Sequence, residues 1–320
     1  MDMFKPTFSQ MLLMFCLIIV GFFLKKKSIL PDNAYITMSK LETWVFVPAM
    51  NFSNMVKNFT IKNFSANAKF IMCGAIMIVI ALAIAQPLAA LFIRIKQNDS
   101  KLVYQRNIYR YAMTFGNYGF MGNFIIQGVW GDEMLSKFLM FTMIIAVVCS
   151  SWGMYVLIPK DQNAGFGKNL MKGIITPPMI ALATGMICGI LNLKPYIPAF
   201  FSNMLGNASS CMGPVAMLLA GFVIGRFDVK KMLSDKKVYI ASFVRLIVLP
   251  AIFVTVFKLF GVSKEILIFI LICFGTPLGL NTIVYPAAYG GDTKTGASMA
   301  IISHTLCVIT IPVMYVLLIK

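Results

Sequence analysis

Two apolar stretches of this sequence are interrupted in the same way, about 160 residues apart. The first runs Phe115-Gly116-Asn117-Tyr118-Gly119-Phe120-Met121-Gly122-Asn123 and closes at Gly131-Asp132. The second runs Phe274-Gly275-Thr276-Pro277-Leu278-Gly279-Leu280-Asn281-Thr282 and closes at Gly291-Asp292. Each is long enough to cross a bilayer, yet each holds Gly, Asn, Thr or Pro near its middle. Hydrocarbon cannot satisfy a bare N–H or C=O. Interrupted backbone at that depth survives only when buried in protein or lining a wet cavity. Broken segments in corresponding halves of a chain point to a solute site at mid-membrane.

Composition supports that reading. The 320 residues are 59% apolar and only 12% charged, where a soluble domain carries about 25% charged residues. A spanning helix needs about 20 apolar residues. Ten apolar segments use most of the chain and leave no room for a separate soluble domain. We number them 1 to 10: 8–24, 36–55, 70–93, 107–128, 134–157, 170–192, 197–224, 238–259, 265–289 and 294–318. The expected fold is an all-α polytopic membrane protein whose first apolar run is retained as a helix, because it lacks a basic leader and a small-residue cleavage site. A net charge of +17 in so apolar a chain reports basic loops facing anionic lipid, not nucleic acid. The seven cysteines are scattered without CxxC spacing and read as small buried hydrophobes. The 24 methionines read as lipid-facing and packing filler.

Loops 1–2, 3–4, 5–6, 7–8 and 9–10, with their flanks, hold 19 of the 28 basic residues, among them Lys25 to Lys27, Lys160, Lys168, Lys230 and Lys231. The positive-inside rule then puts both termini outside the cytoplasm. Five segments per half make the second half upside down relative to the first. Residues repeat as well: Pro48-Ala49-Met50 answers Pro214-Val215-Ala216-Met217 at an offset of 166, and Pro87 has a counterpart in Pro250. The Phe-Gly pairs of segments 4 and 9 lie 159 apart and their Gly-Asp pairs 160 apart. An odd-numbered inverted repeat is expected, with 1–158 as the first half, 159–168 as a cytoplasmic connection and 169–320 as the second half.

In order along the chain, these residues resemble the auxin efflux carrier family, within the bile/arsenite/riboflavin transporter-like superfamily. The resemblance rests on Lys25-Lys26-Lys27-Ser28-Ile29-Leu30-Pro31, Phe46-Val47-Pro48-Ala49, Gly116-Asn117-Tyr118-Gly119, Pro177-Pro178, Gly213-Pro214, Val248-Leu249-Pro250 and Gly275-Thr276-Pro277. It implies two inverted five-helix repeats in which segments 4 and 9 cross as broken helices, as in sodium/proton antiporters and bile-acid symporters. Segments 1, 2, 6 and 7 would form a scaffold; segments 3–5 and 8–10 would form a moving domain. It also implies a small organic anion as cargo, either a malate- or malonate-like dicarboxylate or an auxin-like monocarboxylate, and a homodimer. The short loops and the Lys, Ile and Asn usage suggest a bacterial inner membrane.

The residues expected to carry the chemistry sit at the breaks. Free helix N-termini there suit a carboxylate. Gly116 permits close backbone approach, and Pro277 opens the helical ladder. Asn117 and Asn281 supply amide donors and acceptors, and the family resemblance gives them the first claim on substrate. Thr276 and Asn123 are second-line candidates. In segment 2, Asn51 and Ser53 either face the cavity or serve as interhelical glue. Ser209, Ser210, Gly213 and Pro214 of segment 7 carry the same two readings. His304, the sole histidine, either relays a proton or is a neutral His hydrogen-bonded to a neighbouring helix. Arg245 reads as an anchor that snorkels to the cytoplasmic face, or as a charge that steers an anion. Glu42 reads as interfacial, so no acid is expected deep in any segment. No cofactor, metal or catalytic constellation is apparent, and H+ or Na+ are the candidate coupling ions. A sodium-coupled bile-acid-type symporter and a channel or sensor on the same fold are the alternatives.

Overall fold

The computed structural model describes residues 4–95, 99–159, 171 and 175–319. Residues 160–168 of the expected connection, with Lys160 and Lys168, lie outside the described residues, as do Lys96, Lys172 and Lys320. Among the described residues the regular structure is helical, apart from one isolated antiparallel bridge between Gly116 and Leu278. Among the described residues, five continuous helical runs are long and apolar enough to cross a membrane: Ala68–Phe92, Glu133–Leu157, Ala199–Gly225, Lys236–Leu259 and Lys294–Leu318. They are segments 3, 5, 7, 8 and 10. Segment 1 is the Phe4–Lys26 helix and segment 6 the shorter Pro177–Ile190 helix, which opens on its prolines. Segment 2 passes through Ala34–Leu41, Glu42–Phe46 and Val47–Asn58 without a gap, whereas segments 4 and 9 are each broken by irregular residues. The chain is thus an all-α polytopic membrane protein.

Two helical runs widen locally for a shared reason. A wide π turn, Glu42–Phe46, precedes Pro48, and another, Val244–Val248, precedes Pro250. Proline has no N–H and clashes with the carbonyl four residues back, and a local π adjustment accommodates it inside a membrane helix. Segment 4 starts at Ser100, seven residues before the expected start, because the Asp99 carboxylate accepts from the N–H groups of Lys101 and Leu102 and caps the helix there. Its far end is a turn at Gly131, where φ is +83°.

Small residues let the helices touch. The Phe4–Lys26 helix runs against Ala199–Gly225 so closely that a Cβ on Gly221 would stand 1.9 Å from the Ile18 carbonyl oxygen. The Val47–Asn58 helix packs on Pro177–Ile190 and on Ala199–Gly225. The Ala68–Phe92 helix packs on Ser100–Thr114 and on the Asn123–Val148 helix. Leu13, Val79, Ile187, Leu259 and Ile309 are exposed on the outside, the arrangement that hydrocarbon rather than water favours.

Two charged residues expected near the membrane edge are instead buried. Glu42 is 0% and Arg245 is 1% exposed. Each stands on one of the wide turns, packed inward by neighbouring helices. The expectation that no acid lies within a segment is therefore corrected by Glu42.

Candidate functional site at the two breaks

The two interruptions meet. The Ser100–Thr114 helix stops, residues Phe115 to Asn117 run irregularly, and a π turn at Tyr118–Gly122 resumes the segment. The Lys264–Gly275 helix stops likewise and resumes at Asn281–Tyr289. Between them the Asn117 N–H donates to the Pro277 carbonyl at 2.8 Å, beside the Gly116–Leu278 bridge. The Leu278 N–H donates to Ser303 Oγ at 3.1 Å. Backbone groups freed by each break are thus partly satisfied by the other break, as burial away from water requires. Only glycine fits at position 116. A Cβ there would lie 2.6 Å from Thr276 Oγ1 and 2.7 Å from both Arg245 and the Cys273 carbonyl oxygen.

Arg245 ties the breaks together from segment 8. One guanidinium nitrogen donates to the Met113 carbonyl at 3.0 Å and another to the Cys273 carbonyl at 2.7 Å. These carbonyls belong to the last turns of the Ser100–Thr114 and Lys264–Gly275 helices, whose terminal acceptors lack intrahelical partners. A cation is also favoured at the negative end of a helix dipole. The guanidinium lies 4.5 Å from the centre of the Phe274 ring. Arg245 is therefore no snorkelling anchor, and neither reading made from the sequence anticipated this double tie.

Beside the bridge lies a cavity of about 70 Å³, well under the roughly 300–1,000 Å³ of drug-sized ligand sites. Gly116, Asn117, Asn123, Asn281 and Asn51 line it. Thr276 and Pro277 do not: Thr276 is fully buried with its hydroxyl 3.4 Å from the Cys273 carbonyl, and Pro277 serves as the backbone acceptor described above. Asn51 combines its two readings, since it lines the cavity while its Nδ2 donates to the Pro178 carbonyl at 3.0 Å. From segment 7 it is Met212 that reaches the cavity, while Ser210 hydrogen-bonds its own helix and Gly213 packs under Phe124. Met50, Met140 and Met143 also line the wall, so part of the methionine content is cavity surface rather than filler.

His304 is buried against Asn117. Its Nδ1 lies 2.9 Å from the Ala300 carbonyl, which can only accept, so Nδ1 carries the hydrogen. Nε2 then accepts from Asn117 Nδ2 at 3.3 Å. This holds the Asn117 amide with its Oδ1 unpartnered. Asn281 is held similarly: its Nδ2 donates to the Tyr111 hydroxyl at 2.7 Å, which in turn is 3.1 Å from Cys149 Sγ, and Asn281 Oδ1 is unpartnered. Tyr111 and Cys149 were missed as site residues. The available signal was position, since Tyr111 lies one turn before Phe115 on the same helix face. Asn58, also missed, lines the cavity with an unpartnered Nδ2.

A multi-pass chain with an interrupted, polar-lined cavity between its halves has the form of a solute carrier, and comparison with known proteins agrees. Residues 6–315 match the family model described as membrane transport protein. The chain belongs to this family, that of the auxin efflux carriers. An uncharacterized transporter of Methanocaldococcus jannaschii is 25% identical over 315 residues, covering 94% of this chain and 95% of the relative. An uncharacterized transporter of Methanothermobacter thermautotrophicus is 21% identical over 248 residues, 77% of each chain. Membership in the auxin efflux carrier family extends to both breaks and to Arg245, since the matched region spans them all.

Proposed function

We propose that this membrane transporter is a secondary carrier for a small organic anion, working by alternating access at the meeting point of the two breaks. The observation that carries the reading is Arg245. A full positive charge, with no carboxylate partner among the described residues, stands directly behind Gly116, which lines the cavity. An anion in the cavity sits in that field, and low local dielectric strengthens the attraction. The wall also includes the first residues of both resuming helices, Tyr118 and Gly119 on one side and Leu280 and Asn281 on the other. Helix starts present N–H groups without intrahelical partners. The unpartnered Oδ1 atoms of Asn117, Asn123 and Asn281 can accept from a hydroxyl or a protonated carboxyl of the same solute. A hydroxy acid or dicarboxylate offers both kinds of group.

The reading includes two inverted five-helix repeats, with segments 4 and 9 crossing. Segments 1, 2, 6 and 7 form the scaffold, and segments 3–5 and 8–10 move in an elevator-like step. The close packing of segment 1 on 7 and of segment 2 on 6 and 7 supports that division. Both termini lie outside the cytoplasm, the membrane is a bacterial inner membrane, and the scaffold is the dimer surface. A second reading has its own observation. Three unpartnered amide oxygens around one cavity also suit a hard cation, which favours sodium coupling. The cavity volume, however, speaks against a steroid-sized cargo.

The test is counterflow and solid-supported-membrane current with purified protein in proteoliposomes. Malate, malonate, succinate, lactate, indole acetate and taurocholate are offered with and without sodium. A saturable signal for one small acid is expected, reduced about tenfold or more in Asn117→Ala and Asn281→Ala, since each removes a polar contact in a desolvated site. A signal for the acid that requires sodium would establish the second reading. No response to any acid, by current or counterflow, would rule out anion transport.

A further inference from the structure

The cavity accounts for the Asn cluster and for Arg245, but it leaves Glu42 unexplained. The Glu42 carboxyl is fully buried and neither oxygen has a hydrogen-bond partner. An interior carboxylate without a partner is strongly disfavoured, and a carboxyl in that setting is stable when it holds a proton. Glu42 opens the π turn Glu42–Phe46, and π turns of this kind concentrate at functional sites.

The surroundings offer it no counter-charge. Of the elements packed on the turn, Pro177–Ile190 carries Cys188, Ala199–Gly225 carries Cys211, and Asn281–Tyr289 carries Tyr285 and Tyr289. None carries a basic side chain. On the flanking helices of its own segment, Tyr35 is engaged by Arg226, and Lys40 and Lys57 are exposed. Of these groups, Tyr285 stands on the Asn281–Tyr289 helix packed against the turn, and it lines the cavity one turn after Asn281. The helix that leads into the turn is tied there as well: Ser39 Oγ, three residues before Glu42, donates to the Val284 carbonyl at 2.6 Å. The turn that holds Glu42 is therefore fastened to the helix that presents Asn281.

We propose that Glu42 is a proton-binding site coupled to the solute cavity through the Asn281–Tyr289 helix, so that proton and organic anion move together. The proposal rests on the carrier reading above. A proton from one side of the membrane joins a Glu42 carboxylate oxygen, and the same proton leaves to the other side after the cavity has changed its access. No other bond forms or breaks. A bare carboxylate at the junction opposes movement of the Asn281–Tyr289 helix past segment 2, and protonation removes that opposition.

The experiment compares wild type, Glu42→Gln and Glu42→Asp in three readouts. Infrared spectroscopy of the purified protein at neutral pH should show the carbonyl stretch of a protonated carboxylic acid, absent from Glu42→Gln. Counterflow of the active acid from the panel above, without a gradient, should persist in Glu42→Gln within about twofold. Net uptake driven by an inward proton gradient should fall about tenfold in Glu42→Gln, a typical coupling factor between linked sites, and should recover in part in Glu42→Asp. Gradient-driven uptake that persists in Glu42→Gln, or an infrared band that survives the substitution, would overturn the proposal. Absence of counterflow for every acid in wild type would overturn the carrier reading and the coupling with it, and the infrared band would then decide the proton site alone.

Discussion

The wide turns at Glu42–Phe46 and Val244–Val248 form a natural pair. Both come just before a proline, and both bury one charge inside a membrane-length helix. Their charges end differently. Arg245 donates to two backbone carbonyls, while both oxygens of Glu42 are without a partner. The reason is an asymmetry of the helix itself. A carbonyl oxygen has two lone pairs and can accept a second bond, whereas an amide N–H has one hydrogen, already committed within the helix. Breaks in segments 4 and 9 free additional carbonyls at helix ends. A buried cation therefore finds backbone partners in a helical membrane protein, and a buried anion away from helix starts does not. The first becomes a structural tie, and the second is left open to a proton.

The sharpest way to break this comparison is to remove each charge. Arg245→Ala is expected to cost about 3–6 kcal/mol, from two charge-assisted bonds at about 1.5–3 kcal/mol each, read as a lower thermal unfolding midpoint in detergent. Glu42→Gln should change stability by less than about 1 kcal/mol, because it removes no bond. Equal losses in both variants would show that Glu42 has a partner after all. A smaller effect is expected at the junction that Arg245 ties. Gly116→Ala should cost about 1–3 kcal/mol through overpacking and should reduce transport, because the added methyl meets Arg245 and the Cys273 carbonyl oxygen. Gly206→Ala is its control, since a Cβ there meets open space and its stability should be unchanged or slightly raised.

The smallest effect belongs to a charge pair between the end of the first helix and the loop after it. Lys25, in the last turn of the Phe4–Lys26 helix, pairs with Asp32 of the first loop. The hydrogen bond from Lys25 and its positive charge hold the Asp32 carboxyl below its ordinary value of 3.8. A depressed acid contributes stability above the unfolded value, and that contribution is lost as pH falls through the lower value in the folded protein. Asp32 is fully exposed, so solvent screens the pair. Thermal unfolding of Asp32→Asn and wild type should therefore coincide at neutral pH and at about pH 4. A clear difference at neutral pH that vanishes in acid would show that a solvated pair matters here as much as a buried tie.

Much of the site could be read in advance. The positions of both interruptions, and the cavity-lining places of Gly116, Asn117, Asn123 and Asn281, followed from Gly, Asn and Pro within apolar runs. Thr276 and Pro277 lie at the same break but turn into the bridge, because which side of an irregular segment faces the cavity is set by the chain it pairs with. The depth of Arg245 and Glu42 was misread for a related reason. Hydropathy places a charge along its own segment, while burial depends on which helices cover it. The partners of Arg245 are 132 and 28 residues away in sequence. Those of His304 and Asn281 at the site are 187 and 170 residues away.

By itself, the sequence determined residence in the membrane, the order of the helical segments and the places where two of them break. These are local properties: apolar run length sets what lipid will accept, and Gly and Pro act on the backbone where they stand. The tertiary structure alone decided that the two breaks meet, that His304 and Tyr111 fix the Asn amides with their oxygens free, that Arg245 finds two backbone carbonyls and that Glu42 finds no partner. Hydrogen-bond satisfaction in a dry interior depends on contacts between residues far apart in the chain, and only the packed helices bring those residues together.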